Sequence, residues 1–389
     1  VSAGLPTAAA SDVAALEAQA ALLLAEFAAF GAERVDPAIV QPADAFLDRM
    51  GEELRSQTCV FTGPDGTEFC LRPDLTIPAA KLYLSRQPDC LEALKLCYAG
   101  PVFRLDPQAP GQPVQSFQAG LESFRAPDTP VRDIEILMLT HKSLQKAGLR
   151  STSITIGDVN LLGALLEGLR LPASWAARIR RHAWNQRRLR DVLARMAEDP
   201  AGANRIAATF AGEPPARARE RLREMMELSG IRLTGTRSFE EIAERMLARA
   251  SDAASARLSP VAAATIESFL SLRTNARGSL GAIRKLAAAA SIDMDHALET
   301  FSARLDLLAG GGMDLARMEY ASQFGRNMEY YSGFIFELRT AASALPLAGG
   351  GRYDGLLTSL GAARPTPAIG LAIFCDRLMA AIAAQGGRR

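Results

Sequence analysis

Two segments late in the chain concentrate side chains able to grip a small polar ligand: GRNMEYYSGFIFEL, from Gly325, and LAGGGRYDGLLTSLG, from Leu347. Tyr330, Tyr331 and Tyr353 each join an aromatic face to a hydroxyl, which suits a flat heterocycle needing both packing and a hydrogen bond. Upstream, Arg104 stands near the start of a loop in LCYAGPVFRLDPQAPGQPVQSFQAGLESF. A planar guanidinium donates two parallel hydrogen bonds to a phosphate or a carboxylate. Taken singly, these features are weak. Tyrosine pairs in strands usually pack, an arginine at a strand end usually makes a surface ion pair, and Gly349 to Gly351 fits a tight turn. No Lys-Ser or Lys-Thr follows those glycines, which excludes a phosphate-cradling P-loop.

Other reactive residue types offer less. His141, His182 and His296 are far apart and lie in no motif, so no catalytic role is expected of them. Cys59, Cys70, Cys90, Cys97 and Cys375 form no CxxC or Cys/His cluster. They read as reduced, mostly buried thiols of a cytosolic protein, with no metal site and no cofactor. The most basic run, RIRRHAWNQRRLR from Arg178 to Arg190, reads as a solvated helix face. The 44 Lys and Arg against 43 Asp and Glu leave a net charge of +1, which gives no general drive toward nucleic acid.

The elements that must position these residues fall into two kinds. A helix is expected from about Ser11 to Phe30, capped by Ser11 or Asp12, with Leu16, Leu23, Phe27 and Phe30 on one face. CVFT and EFCLRP flank the turn Gly63-Pro64-Asp65-Gly66 and predict a hairpin. Leu91 to Phe103 and Val114 to Phe124 read as antiparallel strands across a Pro/Gly-rich loop. Arg132 to Ala147 reads as an amphipathic helix and SITIGD as a strand. Strands joined by hairpins and flanked by helices argue for an α+β antiparallel sheet. From about Asn160 to Leu308 the chain is rich in Ala, Arg and Leu, with helices broken at Pro172, Pro200, Pro214-Pro215 and Pro260. Strand patterns return after Gly312. The expected division is therefore 1–160 and 309–389 as one core, with 161–308 a helical insertion. The length of 389 residues, nearly half of them hydrophobic, supports two or three domains with a substantial core. The first thirty residues lack a basic start, and Asp12, Glu17 and Glu26 interrupt their apolar run, so no targeting peptide is expected. No run is apolar and long enough to span a bilayer, and the expectation is a cytoplasmic protein with no membrane partner.

The motifs together resemble histidyl-tRNA synthetase, a class II aminoacyl-tRNA synthetase. LCYAGPVFRLDP…SFQAGLESF resembles motif 2, RNMEYY the histidine signature RGLDYY, and AIGLAIFCDRL motif 3; GAERVDPAIVQPADAF resembles motif 1. The resemblance implies a class II core built on an antiparallel sheet. LRPDLT matches the family's LRPEGT, which implies that Asp74 and Thr76 help hold the histidine α-ammonium. Gln118 and Glu122 match two further histidine contacts. Arg326 matches the arginine facing the substrate carboxylate and the α-phosphate, with Tyr330 and Tyr331 following in register. Tyr353 matches the tyrosine that closes on the imidazole. Arg104 and Arg377 match the ATP-contacting arginines of motifs 2 and 3, and are expected to be vestigial here.

Departures from the family decide the expected function. Its motif 2 reads RHE and ends RYRQF, whose phenylalanine stacks on adenine. Here the first becomes Arg104-Leu105-Asp106, and the phenylalanine position is Ser116. Losing such a platform costs about 1–3 kcal/mol of base stacking. The loop PQAPGQPV has no basic residue for a tRNA acceptor end, and only a dozen residues follow Arg377, so no anticodon-binding domain is expected. Histidine contacts kept and adenine and tRNA contacts damaged resemble the family of ATP phosphoribosyltransferase regulatory subunits, paralogues of the synthetase. That resemblance implies a non-catalytic, histidine-binding subunit in a hetero-octamer with a short-form ATP phosphoribosyltransferase catalytic subunit. It also implies a homodimer formed near Glu33 to Phe46, and no tRNA partner. The alternative is an enzyme that activates histidine with ATP for an acceptor other than tRNA, since all three phosphate-facing arginines are kept.

Overall fold

The computed structural model describes residues 10–47, 56–105, 114–126, 130–183, 185–197, 213–228, 239–240, 243–244, 247, 257–323, 330–341, 343 and 345–386. Two compact units divide the chain. The first comprises Val1–Leu161, Leu272–Arg284 and Asp295–Arg389, and the second comprises Leu162–Ser271 and Lys285–Met294.

In the first unit the strands are β1 (Glu33–Arg34), β2 (Val40–Pro42), β3 (Val60–Thr62), β4 (Glu68–Leu71), β5 (Leu94–Phe103) and β6 (Gln115–Phe124). They continue as β7 (Ser153–Asp158), β8 (Arg273–Asn275), β9 (Glu319–Ala321), β10 (Phe334–Arg339), β11 (Ala348–Arg352) and β12 (Ala368–Phe374). Nine of them form one sheet in the order β1-β5-β6-β12-β11-β10-β7-β9-β8, and β2-β4-β3 form a smaller one. Pairing in the large sheet is antiparallel except for β1 with β5 and β7 with β9. This is the mostly antiparallel α+β architecture that the hairpin pattern predicts.

Helices Ala10–Ala29, Pro130–Lys146 and Cys375–Gly386 pack on the central strands, and helix Asp295–Gly310 packs on Pro130–Lys146. The first helix buries Ala20, Leu23, Leu24 and Phe27. Phe334, Phe336 and Leu338, alternate residues of β10, are also buried. The expected hairpin is present as β3 and β4, with Gly66 at φ +84°, a left-handed conformation that glycine adopts without a Cβ clash.

Two segments that the sequence pattern assigns to the helical insertion belong instead to the first unit. β8 pairs antiparallel with β9, and Arg273 grips Glu319 through two hydrogen bonds of 2.9 and 2.8 Å. Helix Asp295–Gly310 carries Arg304, which is fully buried and bonds Asp133 of helix Pro130–Lys146 at 2.7 Å. A three-residue strand and one inward-facing arginine leave little trace in composition.

The described part of the second unit is helical. Ser259 accepts the Ala262 N–H at 3.1 Å, with Pro260 at the first helical position, so that helix starts where the proline predicts. In helices Ala173–His182 and Gln186–Ala197, Trp175, Ile179, Leu189, Leu193 and Met196 are buried, while Arg180, Arg181, Arg187, Arg188 and Arg190 are exposed. The basic run is a solvated face. All five cysteines are outside disulfides, four of them buried.

Candidate functional site

One pocket on the sheet is lined by Asp74, Thr76, Gln118, Glu122, Tyr330, Tyr331, Gly349, Tyr353, Gly370, Leu371 and Ala372. Seven of the eight residues expected to hold histidine are therefore together. The eighth, Arg326, lies outside the described residues.

Register explains the convergence. Gln118 and Glu122 are four apart on β6, so both face the same side, and Glu122 pairs with Gly370 of β12, which in turn pairs with Gly351 of β11. A Cβ on Gly370 would fall on the Glu122 carboxylate. Gly120, between Gln118 and Glu122 on that face, sits opposite Tyr98, where a Cβ would meet the tyrosine ring at 2.6 Å. Tyr353 follows β11 and turns to the same side. Asp74 and Thr76 enter with helix Thr76–Arg86, where Asp74 Oδ1 accepts the Ile77 N–H of the first turn at 3.1 Å.

Glu122 is the hub. It is 1 % exposed. Its Oε1 accepts from the Thr76 hydroxyl at 2.7 Å and from the Tyr98 hydroxyl at 2.7 Å, and its Oε2 accepts from Tyr353. Burial pushes the carboxyl up to about 7, outweighing the three hydroxyl donors that stabilise its charge. Burial, and then the Glu122 charge, push Tyr98 and Tyr353 well above the usual tyrosine range, which keeps both as donors. The tyrosine rings form one wall: Tyr330 lies 4.9 Å from Tyr331 and meets Tyr353 edge-on at 5.6 Å. Such an arrangement presents a carboxylate-rich base and an aromatic side to a small cationic or heterocyclic ligand.

The two arginines matched to ATP contacts stand elsewhere. Arg104 donates through Nε to the Pro73 carbonyl at 2.8 Å. Arg377 lies 3.8 Å over the Phe374 ring and donates to the Pro346 carbonyl at 2.9 Å. Neither lines the pocket. Ser116, in place of the stacking phenylalanine, hydrogen-bonds Asp376, whose carboxyl burial pushes up.

Sequence reasoning missed Tyr98, Gly349 and Gly370. The signal was the strand register: once β5 and β6 pair, Tyr98 must face the same side as Glu122. Among the described residues no cluster of three or more His, Cys, Asp or Glu could hold a metal ion, and no helix is long and apolar enough to cross a membrane.

A sequence profile of the family described as Histidyl-tRNA synthetase matches residues 5–246 and 222–378. The ATP phosphoribosyltransferase regulatory subunit of Mesorhizobium japonicum is 34% identical over 359 residues, covering 91% of this chain and 94% of that protein. The chain belongs to the family of ATP phosphoribosyltransferase regulatory subunits. Its relative of that name in Rhizobium meliloti is 32% identical over 379 residues, 95% of this chain and 98% of that one. Among solved structures, the chain superposes on an ATP phosphoribosyltransferase regulatory subunit/histidyl-tRNA synthetase from Bacillus halodurans with a TM-score of 0.67 and 22% identity. That match covers 97% of this chain and 82% of the other. It superposes on the histidyl-tRNA synthetase of Nostoc with a TM-score of 0.63 and 13% identity, over 99% of this chain and 75% of that one. These likenesses show the class II synthetase-like fold. Both relatives carry the name of a subunit that regulates ATP phosphoribosyltransferase, which gives the family its context in histidine biosynthesis.

Proposed function

We propose that the chain is a non-catalytic regulatory subunit that binds free histidine in the Glu122 pocket and conveys feedback to a short-form ATP phosphoribosyltransferase catalytic subunit. The observation that carries this reading is the convergence of Asp74, Thr76, Gln118, Glu122 and three tyrosines on one pocket that Arg104 and Arg377 do not line. Asp74, Glu122, Thr76 and Gln118 offer oxygens to the α-ammonium, Arg326 pairs with the ligand carboxylate, and the tyrosines take the imidazole. Ser116 provides no aromatic platform for adenine. The assembly is a hetero-octamer, with a homodimer of this chain formed near Glu33 to Phe46. The names of the relatives do not favour the alternative, histidine activation for another acceptor.

The test is ATP–pyrophosphate exchange with histidine on the purified chain, beside a calorimetric titration of histidine. Histidine binding without exchange is expected. Robust histidine-dependent exchange would overturn the non-catalytic reading.

A further inference from the structure

Behind the pocket, on the helix-covered side of the sheet, lies a second buried charged cluster that ligand contact does not require. Asp133 Oδ1 accepts from Arg352 Nε at 2.9 Å and Nη2 at 2.7 Å, while Asp133 Oδ2 accepts from Arg304 Nε at 2.7 Å. Arg304 also donates to Asp158 Oδ2 at 2.9 Å. Asp133, Arg304 and Arg352 are each 0 % exposed. Two cations and two carboxylates are thus taken out of water together, joining helices Pro130–Lys146 and Asp295–Gly310 to the ends of β7 and β11. Buried pairs of this kind give little net stability against apolar packing, so their worth has to be sought in what they position.

Arg352 is the link to the pocket. It ends β11, and neighbouring residues of an extended chain point to opposite faces. Its guanidinium goes to Asp133, whereas Tyr353, the next residue, reaches Glu122 on the pocket side. The Arg352 carbonyl accepts the Ser332 N–H at 2.8 Å, directly beside Tyr331. Asp354 closes the ring: its N–H donates to the Ser332 hydroxyl at 2.8 Å, and its Oδ1 accepts from Arg352 at 3.3 Å and from the Ala368 N–H at 2.9 Å. The two segments bearing the pocket tyrosines are therefore fastened to one arginine, and that arginine to Asp133 and, through it, Arg304.

We propose that Asp133 and Arg304 are positioning residues of the histidine pocket, fixing the Tyr331 and Tyr353 segments against Glu122 through Arg352 without touching the ligand. A displacement of the Arg352 backbone is expected to move both tyrosine segments together, because its carbonyl holds Ser332 and its own peptide bond leads to Tyr353. This rests on the reading that the pocket takes histidine, and the test keeps the two apart.

Histidine is titrated by calorimetry into the full-length chain as wild type, Asp133→Asn, Tyr353→Phe and the double variant, with urea unfolding recorded for each. No binding to wild type would defeat the histidine reading itself. Given wild-type binding, Asp133→Asn is expected to weaken histidine at least tenfold in the wild-type background and less than threefold in the Tyr353→Phe background. A merely structural role would lower the unfolding midpoint while leaving affinity unchanged, or would cost the same factor in both backgrounds. Either result overturns the proposal. Arg304→Lys keeps a buried cation but cannot span both carboxylates. It carries the same comparison if Asp133→Asn does not fold, with a loss of at least fivefold expected in the wild-type background and unchanged affinity overturning the proposal.

Discussion

The pocket around Glu122 and the strip holding Arg104 and Arg377 are built on the same sheet, yet they treat charge in opposite ways. In the pocket a buried carboxylate receives, among the described residues, neutral hydroxyls from Thr76, Tyr98 and Tyr353, and is left poised near neutrality. Along the strip the guanidiniums donate to backbone carbonyls of Pro73 and Pro346, and Arg377 stacks on Phe374. A charged group whose own partners are neutral still gains by meeting an opposite charge. An arginine seated on carbonyls and a ring has part of its donor capacity spent already. On the proposed reading, the difference separates a region that would receive a cationic ligand from one that keeps arginines matched to a nucleotide site without the aromatic platform.

The sharpest way to break this contrast is to remove the hub. Glu122→Ala leaves the ligand cation unanswered in a buried site, and losing one partner of such a pair typically costs about 2–5 kcal/mol. Histidine affinity is expected to fall tens-fold or more by calorimetry. A comparable loss is expected of Gly370→Ala, whose new methyl falls on the Glu122 carboxylate. Overpacking of this kind costs about 1–3 kcal/mol, and both the unfolding midpoint and histidine affinity should drop.

Next in size is the pH dependence. A carboxyl raised from 4.5 to about 7 is increasingly protonated below neutrality, and a neutral Glu122 cannot answer a cation. Histidine affinity should therefore fall as pH drops from 8 to 6, more steeply for wild type than for Glu122→Gln. Stability carries the same group with its own sign. Between 4.5 and about 7 the folded chain binds more protons at Glu122 than the unfolded chain does. The contribution is fully present below the lower value and lost as pH rises through the upper one, about 3 kcal/mol at most. Urea unfolding at pH 5 and pH 8 should show this loss in wild type and not in Glu122→Gln.

On the other side of the comparison, Arg104→Ala and Arg377→Ala should change histidine affinity less than threefold. A tenfold loss in either would place the strip within the ligand site. The smallest effect belongs to the solvated helix face, where Arg187→Gln and Arg190→Gln should each shift stability by less than about 0.5 kcal/mol.

Local pattern carried far in this chain, and its limits are physical. Alternation and turn residues placed the β3–β4 hairpin and the β5–β6 pair, because each is made by residues close in sequence. The histidine contacts carried by motif resemblance reach one pocket, apart from Arg326, which lies outside the described residues, whereas Arg104 and Arg377 do not line it. Tyr98 and Gly370 were not legible, since their roles depend on which strand lies beside which. Asp133, Arg304 and Arg352 were hidden for the same reason: Arg352 meets Asp133 across 219 residues of chain, and in isolation each reads as a surface charge. The edges of the helical region failed at β8, which is too short to alternate visibly.

Control by histidine through Glu122 can be measured in the assembled enzyme. The most direct measurement is histidine inhibition of ATP phosphoribosyltransferase activity in a complex reconstituted from the short-form catalytic subunit and either wild-type chain or Glu122→Ala. Both complexes are expected to be active, with the variant needing tens-fold more histidine for half-inhibition. Superimposable inhibition curves would contradict this, and would move the site of control away from this pocket.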